Sequence, residues 1–312
     1  MKDNPKISII IPVFNEKEDI ITTINYIKKL KYSNYELIII DDSTDETPQL
    51  IKKNKFDKLI YIQPSVRKDR SQARNIGIKK STGEILVILN ADVLLPDDFL
   101  DKIIINYKNG CDYLLVDSEV YNLSSVYSRH VDCDHKYKRF ETNWVNKWTW
   151  TEGFSVKKNT ALKTSLFPSG TVPMTAGEDR VFGEELDMIG AVKKVDLSII
   201  VKHISPDNFN DFWVFRKSRG AGSSQVKRFV QKWSYSKIFL IELIKFIRNI
   251  LWILLILPTI YKSYKFSKYS NQPKVKEFLL FCYTIPLEKI AMSIGAFECL
   301  GDIIQKEKNL KQ

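Results

Sequence analysis

The chain has no cysteine pair at CxxC spacing; Cys111, Cys133, Cys282 and Cys299 are scattered. That argues against a disulfide framework or a zinc-finger pattern and suits a reducing, cytoplasmic setting. His130, Asp132, Cys133, Asp134 and His135 supply metal-ligand types, but not at the spacing of a zinc site. A secretory leader is not indicated. Only six residues precede the apolar run Ile7 to Val13, which is too short for one and reads as a first strand. An uninterrupted apolar run of the roughly 20 residues that span a bilayer is missing, since the uncharged stretch Asn249 to Tyr261 falls short. Acids are in deficit: 37 Asp and Glu face 48 Lys and Arg, for a formal net charge of +11. Such an excess points to a polyanionic partner: nucleic acid, anionic lipid or a phosphorylated substrate.

What is present suffices for a folded domain. Of the 312 residues, 44% are hydrophobic and 27% charged, which argues against disorder over most of the length. Apolar runs at 7–13, 35–41, 59–62 and 84–90 read as buried strands. Between and after them, 17–30, 45–54, 70–80 and 97–108 read as helices. Continuous apolar strands alternating with helices imply an α/β fold, a mostly parallel sheet covered on both faces. Ligands of such sheets sit at the carboxyl ends of the strands, so the loops 12–16, 41–45, 63–70 and 90–96 are the candidates. From 111 to 210 the rhythm is less regular, with a strand at Tyr113 to Val120, a helix over 178–190 and a late strand over 195–202.

After residue 210 the character changes. The segments 211–219 and 225–233 are basic and aromatic, and 238–261 is apolar with Glu242, Lys245 and Arg248 on one helical face. A second apolar segment, 278–301, is interrupted by Pro286, Glu288 and Lys289. The lysine-rich stretch 262–277 reads as a linker between them. Two amphipathic helices beside a basic patch suit an anionic membrane surface, lying on it or inserted shallowly; a helical subdomain packed on the core is the alternative. Basic residues clustered at this apolar end favour lipid over nucleic acid.

Several loops carry groups suited to phosphate chemistry. Asp41, Asp42 and Asp45 follow the second strand, where carboxylates accept hydrogen bonds from a ribose or base; Asp45 equally suits a helix cap. Asp92, in Asn90-Ala91-Asp92 after the fourth strand, can help hold a divalent ion against a departing diphosphate. In Gly177-Glu178-Asp179, Asp179 is placed to take a proton from an acceptor hydroxyl, though both acids also suit a helix N-terminus. Arg74 and the group Arg216, Lys217 and Arg219 match phosphate oxygens, and Gly220 with Gly222 suggests a flexible loop closing over a ligand. His203 ends a late strand, as a metal or phosphate ligand or as a structural residue.

The order of these segments is more specific than any one of them. Ile9 to Glu16, Ile40-Asp41-Asp42-Ser43-Thr44-Asp45, Ala73-Arg74-Asn75-Ile76-Gly77, Thr82-Gly83-Glu84 leading to Asn90-Ala91-Asp92, and Gly177-Glu178-Asp179 resemble the family 2 glycosyltransferases with the GT-A fold. The resemblance runs over about residues 5–222. It implies a Rossmann-like GT-A sheet, a catalytic domain over 1–222 (nucleotide half 1–110, acceptor half 111–222) and a basic, apolar, membrane-associated region over 223–312. It further implies that Pro12, Asn15 and Glu16 line a nucleotide pocket, and that Asp42, supported by Asp41, contacts base or ribose. Arg74 would contact the base or ribose side of the donor, with Asn90, Ala91 and Glu178 also lining its site. Asp92 would bind Mg²⁺ or Mn²⁺ with His203 as a further ligand, Asp179 would be the general base, and Arg216 and Arg219 would face the phosphates.

Two positions depart from the family pattern. Asn90 stands where an acid is usual, which removes one negative charge, and the loop 41–45 is one residue shorter than the common form. The activity implied is inverting transfer of a sugar from a nucleotide-diphosphate donor to a lipid-linked or glycan acceptor, at the cytoplasmic face of the cell membrane. A polyprenyl-phosphate monosaccharide synthase is a variant of that reading. A non-catalytic nucleotide-binding scaffold is the alternative from another class.

Overall fold

The computed structural model describes residues 3–66, 68–142 and 149–310. Its strands are β1 (Ile7–Val13), β2 (Tyr35–Asp41), β3 (Leu59–Ile62), β4 (Ile85–Ile88), β5 (Val93–Leu94), β6 (Tyr113–Val120), β7 (Phe154–Lys157) and β8 (Lys193–His203). They form one sheet in the order β3-β2-β1-β4-β7-β6-β8-β5. The first four pair in parallel, with Ile7 opposite Tyr35 and Ile85, and Leu37 opposite Leu59. The later strands enter antiparallel, β7 on β4 and on β6, and β5 on β8. Every residue of β1, β2 and β4 is buried, as continuous apolar runs require in a sheet covered on both faces.

Four helices alternate with the parallel strands: α1 (Ile20–Lys28), α2 (Thr47–Lys53), α3 (Arg70–Lys80) and α4 (Phe99–Lys108). Asp69 starts α3 in a capping box, its side chain accepting from the Gln72 backbone while Gln72 reaches back to the Asp69 N–H. Gly77 lets α3 lie close on the sheet, because a Cβ there would overlap Ile10 and Ile40.

The chain divides into two compact units. One comprises residues 1–119, 148–168 and 179–204, and the other 120–147, 169–178 and 205–312. The expected division at 222, and that of the first half at 110, are therefore not where the chain partitions. The first unit holds the sheet. The second is helical, with α5 (Val126–Glu141), α8 (Phe209–Gln225), α9 (Tyr235–Leu254), α10 (Leu257–Tyr269) and α11 (Lys274–Asn309); the intervening α6 (Lys158–Ala161) and nearly all of α7 (Glu178–Met188) belong to the first.

The flexible loop expected around Gly220 and Gly222 is the body of α8. Its glycines serve close packing: a Cβ on Gly220 would overlap the Met292 carbonyl, and one on Gly295 would overlap that of Lys217. The helices α8 and α11 thus meet backbone to backbone, and Arg216 and Arg219 are carried on a rigid element. The expected basic linker is also largely helical, since Lys262, Lys265 and Lys268 lie on α10. A left-handed residue, Ile256 (φ 59°), divides the first apolar segment into α9 and α10. Pro286 sits inside α11 and does not end it.

Buried charges knit the second unit. Arg129 grips Glu277 through Nε and Nη2, both at 2.9 Å. His130 lies between Thr284 Oγ1 (2.8 Å) and Glu288 Oε2 (3.0 Å). Asp132 and Asp134 receive Lys136 and Lys138 one turn along α5, each at 2.7 Å. His130, Asp132 and Asp134 are therefore occupied by protein partners.

Candidate active site

The site is built where β1, β2 and β4 end. Asn15 follows β1 in a left-handed conformation (φ 56°), which an asparagine tolerates. Its N–H donates to Ser43 Oγ (2.8 Å), and its side-chain oxygen accepts from the Thr44 N–H (2.9 Å). The loops after β1 and β2 are so tied together. Asp41 is fully buried, accepting from Tyr61 Oη (2.7 Å) and the Ser43 N–H (2.9 Å). Asp42 accepts the Lys68 N–H at 2.8 Å. Asp45 accepts the Thr47 N–H (3.0 Å) at the start of α2. Pro12 is a buried strand residue opposite Ile40.

After β4 the chain is anchored at three successive residues. Asn90 Oδ1 accepts from Arg74 Nη2 (2.8 Å), the Ala91 carbonyl accepts from Thr23 Oγ1 (2.6 Å), and the Asp92 carbonyl accepts the Ile204 N–H (2.9 Å). Asp92 Oδ2 lies 3.0 Å from His203 Nε2, a pairing set by the antiparallel junction of β5 and β8. Asp92 Oδ1 is buried and meets no hydrogen-bond partner among the described residues. Burial pushes the Asp92 carboxyl up, yet His203 and, more weakly, Arg70 hold it below the usual range. Glu16 responds in the opposite sense. Burial, then the nearby Asp92 and Asp19 charges, raise its carboxyl to about 8. Glu16, Asp92, His203 and Arg70 thus form one electrostatic group. No cluster of three or more His, Cys, Asp or Glu side chains arranged to hold a metal occurs among the described residues.

Arg74 is fully buried, so its placement differs from that of a side chain lying open to a donor. Its guanidinium rests on the Phe167 ring, 5.0 Å from the centroid, and Nη2 also reaches Thr151 Oγ1 at 3.1 Å. Thr151 and Phe167 lie far away in sequence with no motif to flag them. Arg70 was legible in principle, as a cation in the 63–70 loop already picked out.

Glu178 and Asp179 open α7, after Gly177 turns the chain at φ 88°. Glu178 is 2% exposed, and Asp179 Oδ1 accepts the Arg180 N–H at 2.8 Å. Arg216 is carried on α8. It is 5% exposed within the second unit, with Nη1 at 3.1 Å from Glu288 and 3.6 Å from Asp134. Arg219, half-buried on the same helix, lies over the Phe215 ring.

The family model for glycosyl transferase family 2 matches residues 8–169. An uncharacterized glycosyltransferase of Rickettsia bellii is 39% identical over 90 residues, 28% of this chain and 13% of that protein. A dolichol-phosphate mannosyltransferase of Pyrococcus furiosus is 32% identical over 111 residues, 34% of this chain and 31% of its own length. The matched stretch therefore spans less than a third of either relative. Among solved structures, the mannosyltransferase PcManGT of Pyrobaculum calidifontis, in complex with GDP-Man and Mn²⁺, is similar with a TM-score of 0.62 at 17% identity. That similarity covers 94% of this chain and 87% of the other. TarS of S. aureus, in complex with UDP-GlcNAc, gives 0.54 at 15% identity, over 93% and 90%. These likenesses at low identity establish the GT-A fold. With the family model covering more than half of the residues, this chain belongs to glycosyl transferase family 2.

Proposed function

We propose that the chain is an inverting glycosyltransferase that moves a sugar from a nucleoside-diphosphate donor to a lipid-linked or glycan acceptor at an anionic membrane surface. The observation that carries the reading is Asp92. It ends the β4 loop with one oxygen on His203 and the other buried without a hydrogen-bond partner among the described residues. An oxygen so placed fits a divalent cation that takes few protein ligands and completes its shell from phosphate and water, as Mg²⁺ does. Asp92 would hold it, with His203 as a further ligand. When bound, such an ion neutralises charge developing on the departing diphosphate.

The chain's own residues supply the rest. Asn15 and Asp42 bind the nucleoside side in the knitted loops after β1 and β2. Asp179 takes the proton of the acceptor hydroxyl as that oxygen attacks the anomeric carbon. The carbon–oxygen bond to the diphosphate breaks on the opposite face, and its electron pair leaves with the nucleotide. GDP-mannose and UDP-GlcNAc, bound by the two solved relatives, are the first donors to try.

The membrane component rests on exposed apolar residues. Leu240, Ile244, Ile247, Leu251 and Leu254 recur at spacings of four and three along α9, each at least half exposed. Leu255, Ile256 and Leu257 then form an apolar tip, 66%, 59% and 74% exposed. A contiguous apolar surface of this kind, with Lys262, Lys265 and Lys268 following on α10, suits insertion among anionic headgroups. Among the described residues, α11 alone is long and apolar enough to cross a membrane. The Pyrococcus relative supports a polyprenyl phosphate as acceptor, which extraction of labelled product into organic solvent would test.

The primary test is a thermal-shift screen against UDP, GDP, CDP and dTDP with and without Mn²⁺. A metal-enhanced rise with one nucleotide is expected. No rise with any of them, in a folded sample, sinks the donor site and favours a scaffold. Sedimentation with anionic vesicles should carry the wild type down and lose the Leu255→Glu, Leu257→Glu double variant; equal sedimentation of both rejects the tip as the anchor.

A further inference from the structure

Residues 173–177 have no regular secondary structure, yet they lead directly into Glu178 and Asp179 at the start of α7. An irregular segment has no ladder for its backbone and must find partners elsewhere or leave it to water. Here one side chain supplies them. Gln225, 1% exposed at the end of α8, accepts the Thr175 N–H at Oε1 (2.9 Å) and donates from Nε2 to the Pro173 carbonyl (2.6 Å). The amide thus gives an acceptor and a donor to residues two apart, as the backbone of a neighbouring strand would.

Thr175 adds its hydroxyl, which lies 2.9 Å from the Ser218 carbonyl and 3.1 Å from Gln225 Oε1. Between those two positions on α8 is Gly222, where a Cβ would stand 2.4 Å from the Ala176 carbonyl oxygen. The segment therefore lies against the α8 backbone at Ala176, with Gln225 gripping it at Pro173 and Thr175. Gln225 is chemically specific in this place. Glutamate would set a carboxylate against the Pro173 carbonyl, and methionine fills a similar volume but offers neither bond. Gln225 is also the last residue before a π-helical turn, Val226–Val230, a form of helix found mostly at functional sites.

We infer that Gln225 is a positioning residue for the transfer step: by clasping Pro173 and Thr175 it restricts the backbone that delivers the Asp179 carboxylate. The base then need not be ordered afresh at each turnover. The inference rests on Asp179 as the general base proposed above. Gln225 acts through the segment, not on either substrate.

The test measures kcat and donor KM from nucleotide release with GDP-mannose and UDP-GlcNAc, in the presence of polyprenyl phosphate. It compares the wild type, Gln225→Met, Thr175→Val and Asp179→Asn, with melting curves to fix the folded fraction. Gln225→Met should lower kcat per folded molecule about 10- to 100-fold, with donor KM within about two-fold of wild type. Thr175→Val, which loses one hydroxyl, should lower kcat about three-fold in the same sense. A Gln225→Met protein that melts earlier but keeps wild-type kcat per folded molecule, beside an inactive Asp179→Asn, overturns the inference alone. So does a raised donor KM at unchanged kcat. Should Gln225→Met fail to fold, Thr175→Val decides, and wild-type kcat in that variant overturns the inference. Wild-type kcat in Asp179→Asn, or no wild-type turnover with either donor, overturns the proposed function and the inference with it.

Discussion

Both units bury acids, and the partners of Asp134, Glu277 and Glu288 contrast with those of Asp92. In the helical unit Asp134, Glu277 and Glu288 each meet basic partners, and Glu277 also receives Ser270 Oγ (2.9 Å). In the sheet unit Glu36 is likewise saturated, by Lys6, Ser8 and Thr82, whereas Asp92 keeps a buried oxygen that no described residue satisfies. Burying a carboxylate is costly unless it is paired. A saturated acid is therefore part of the scaffold, and an unsatisfied one marks where something else is to bind. The arginines give the same lesson. Arg74 and Arg216 look alike in sequence, and both are buried. One is fixed beside the strand-end loops, while the other joins α8 to acids on α5 and α11.

Substitutions can break or sharpen this contrast. The largest expected effect is Asp179→Asn, predicted to lower turnover about 10²- to 10⁴-fold while nucleotide affinity and melting temperature hold, as for loss of a general base. Retained transfer in a single-turnover assay would remove Asp179 from the mechanism. Next is Glu288→Ala. It removes the nearer carboxylate from Arg216 and the acid partner from His130, and should cost about 3–5 kcal/mol in denaturant titrations, with donor affinity unchanged in the protein that stays folded. Loss of nucleotide binding at unchanged stability would place Glu288 in the site and dissolve the contrast.

Asp92→Asn should do the reverse. Stability should change by less than about 1 kcal/mol, because the amide oxygen can still face His203 in place of the carboxylate, while the Mn²⁺ response of the nucleotide thermal shift disappears. An unaltered Mn²⁺ titration would argue against Asp92 as the cation's ligand. The smallest effect concerns acid. Burial raises the Glu36 carboxyl, but Lys6, Ser8 and Thr82 outweigh it and hold it down at about 2. A depressed carboxyl stabilises the fold above its unfolded value of about 4.5, and that contribution is lost as pH falls toward about 2. Melting temperature should fall across that window, and more shallowly in Glu36→Gln. Parallel curves for the two proteins would show that Glu36 is not the group responsible.

Local pattern made much of the first unit legible. The runs at 7–13, 35–41 and 59–62 are strands, and 70–80 is a helix with those bounds. A fully buried strand needs an unbroken apolar run, and a capped helix carries its signal within a few residues. The strand-end loops followed from the parallel sheet, and Asn15, Asp41, Asp42, Asn90 and Asp92 all lie in them. The short strands β5 and β7 were not foreseen, nor was α5. Two to four residues carry no period, and α5 buries a face dense in charge that reads as solvent-exposed.

The sequence by itself determined the alternating α/β order, the loops that hold the candidate site and the apolar, basic character of the C-terminal region. All of these depend on residues near one another along the chain. Only the tertiary structure decided that Arg74 lies beneath Asn90 on a Phe167 ring, that His203 meets Asp92, and that Gly220 serves helix packing. It also decided that Arg216 is paired with Asp134 and Glu288. Those contacts join residues separated by long stretches of chain. Whether a buried charge is satisfied depends on which side chains arrive beside it, and composition and spacing do not encode that arrival.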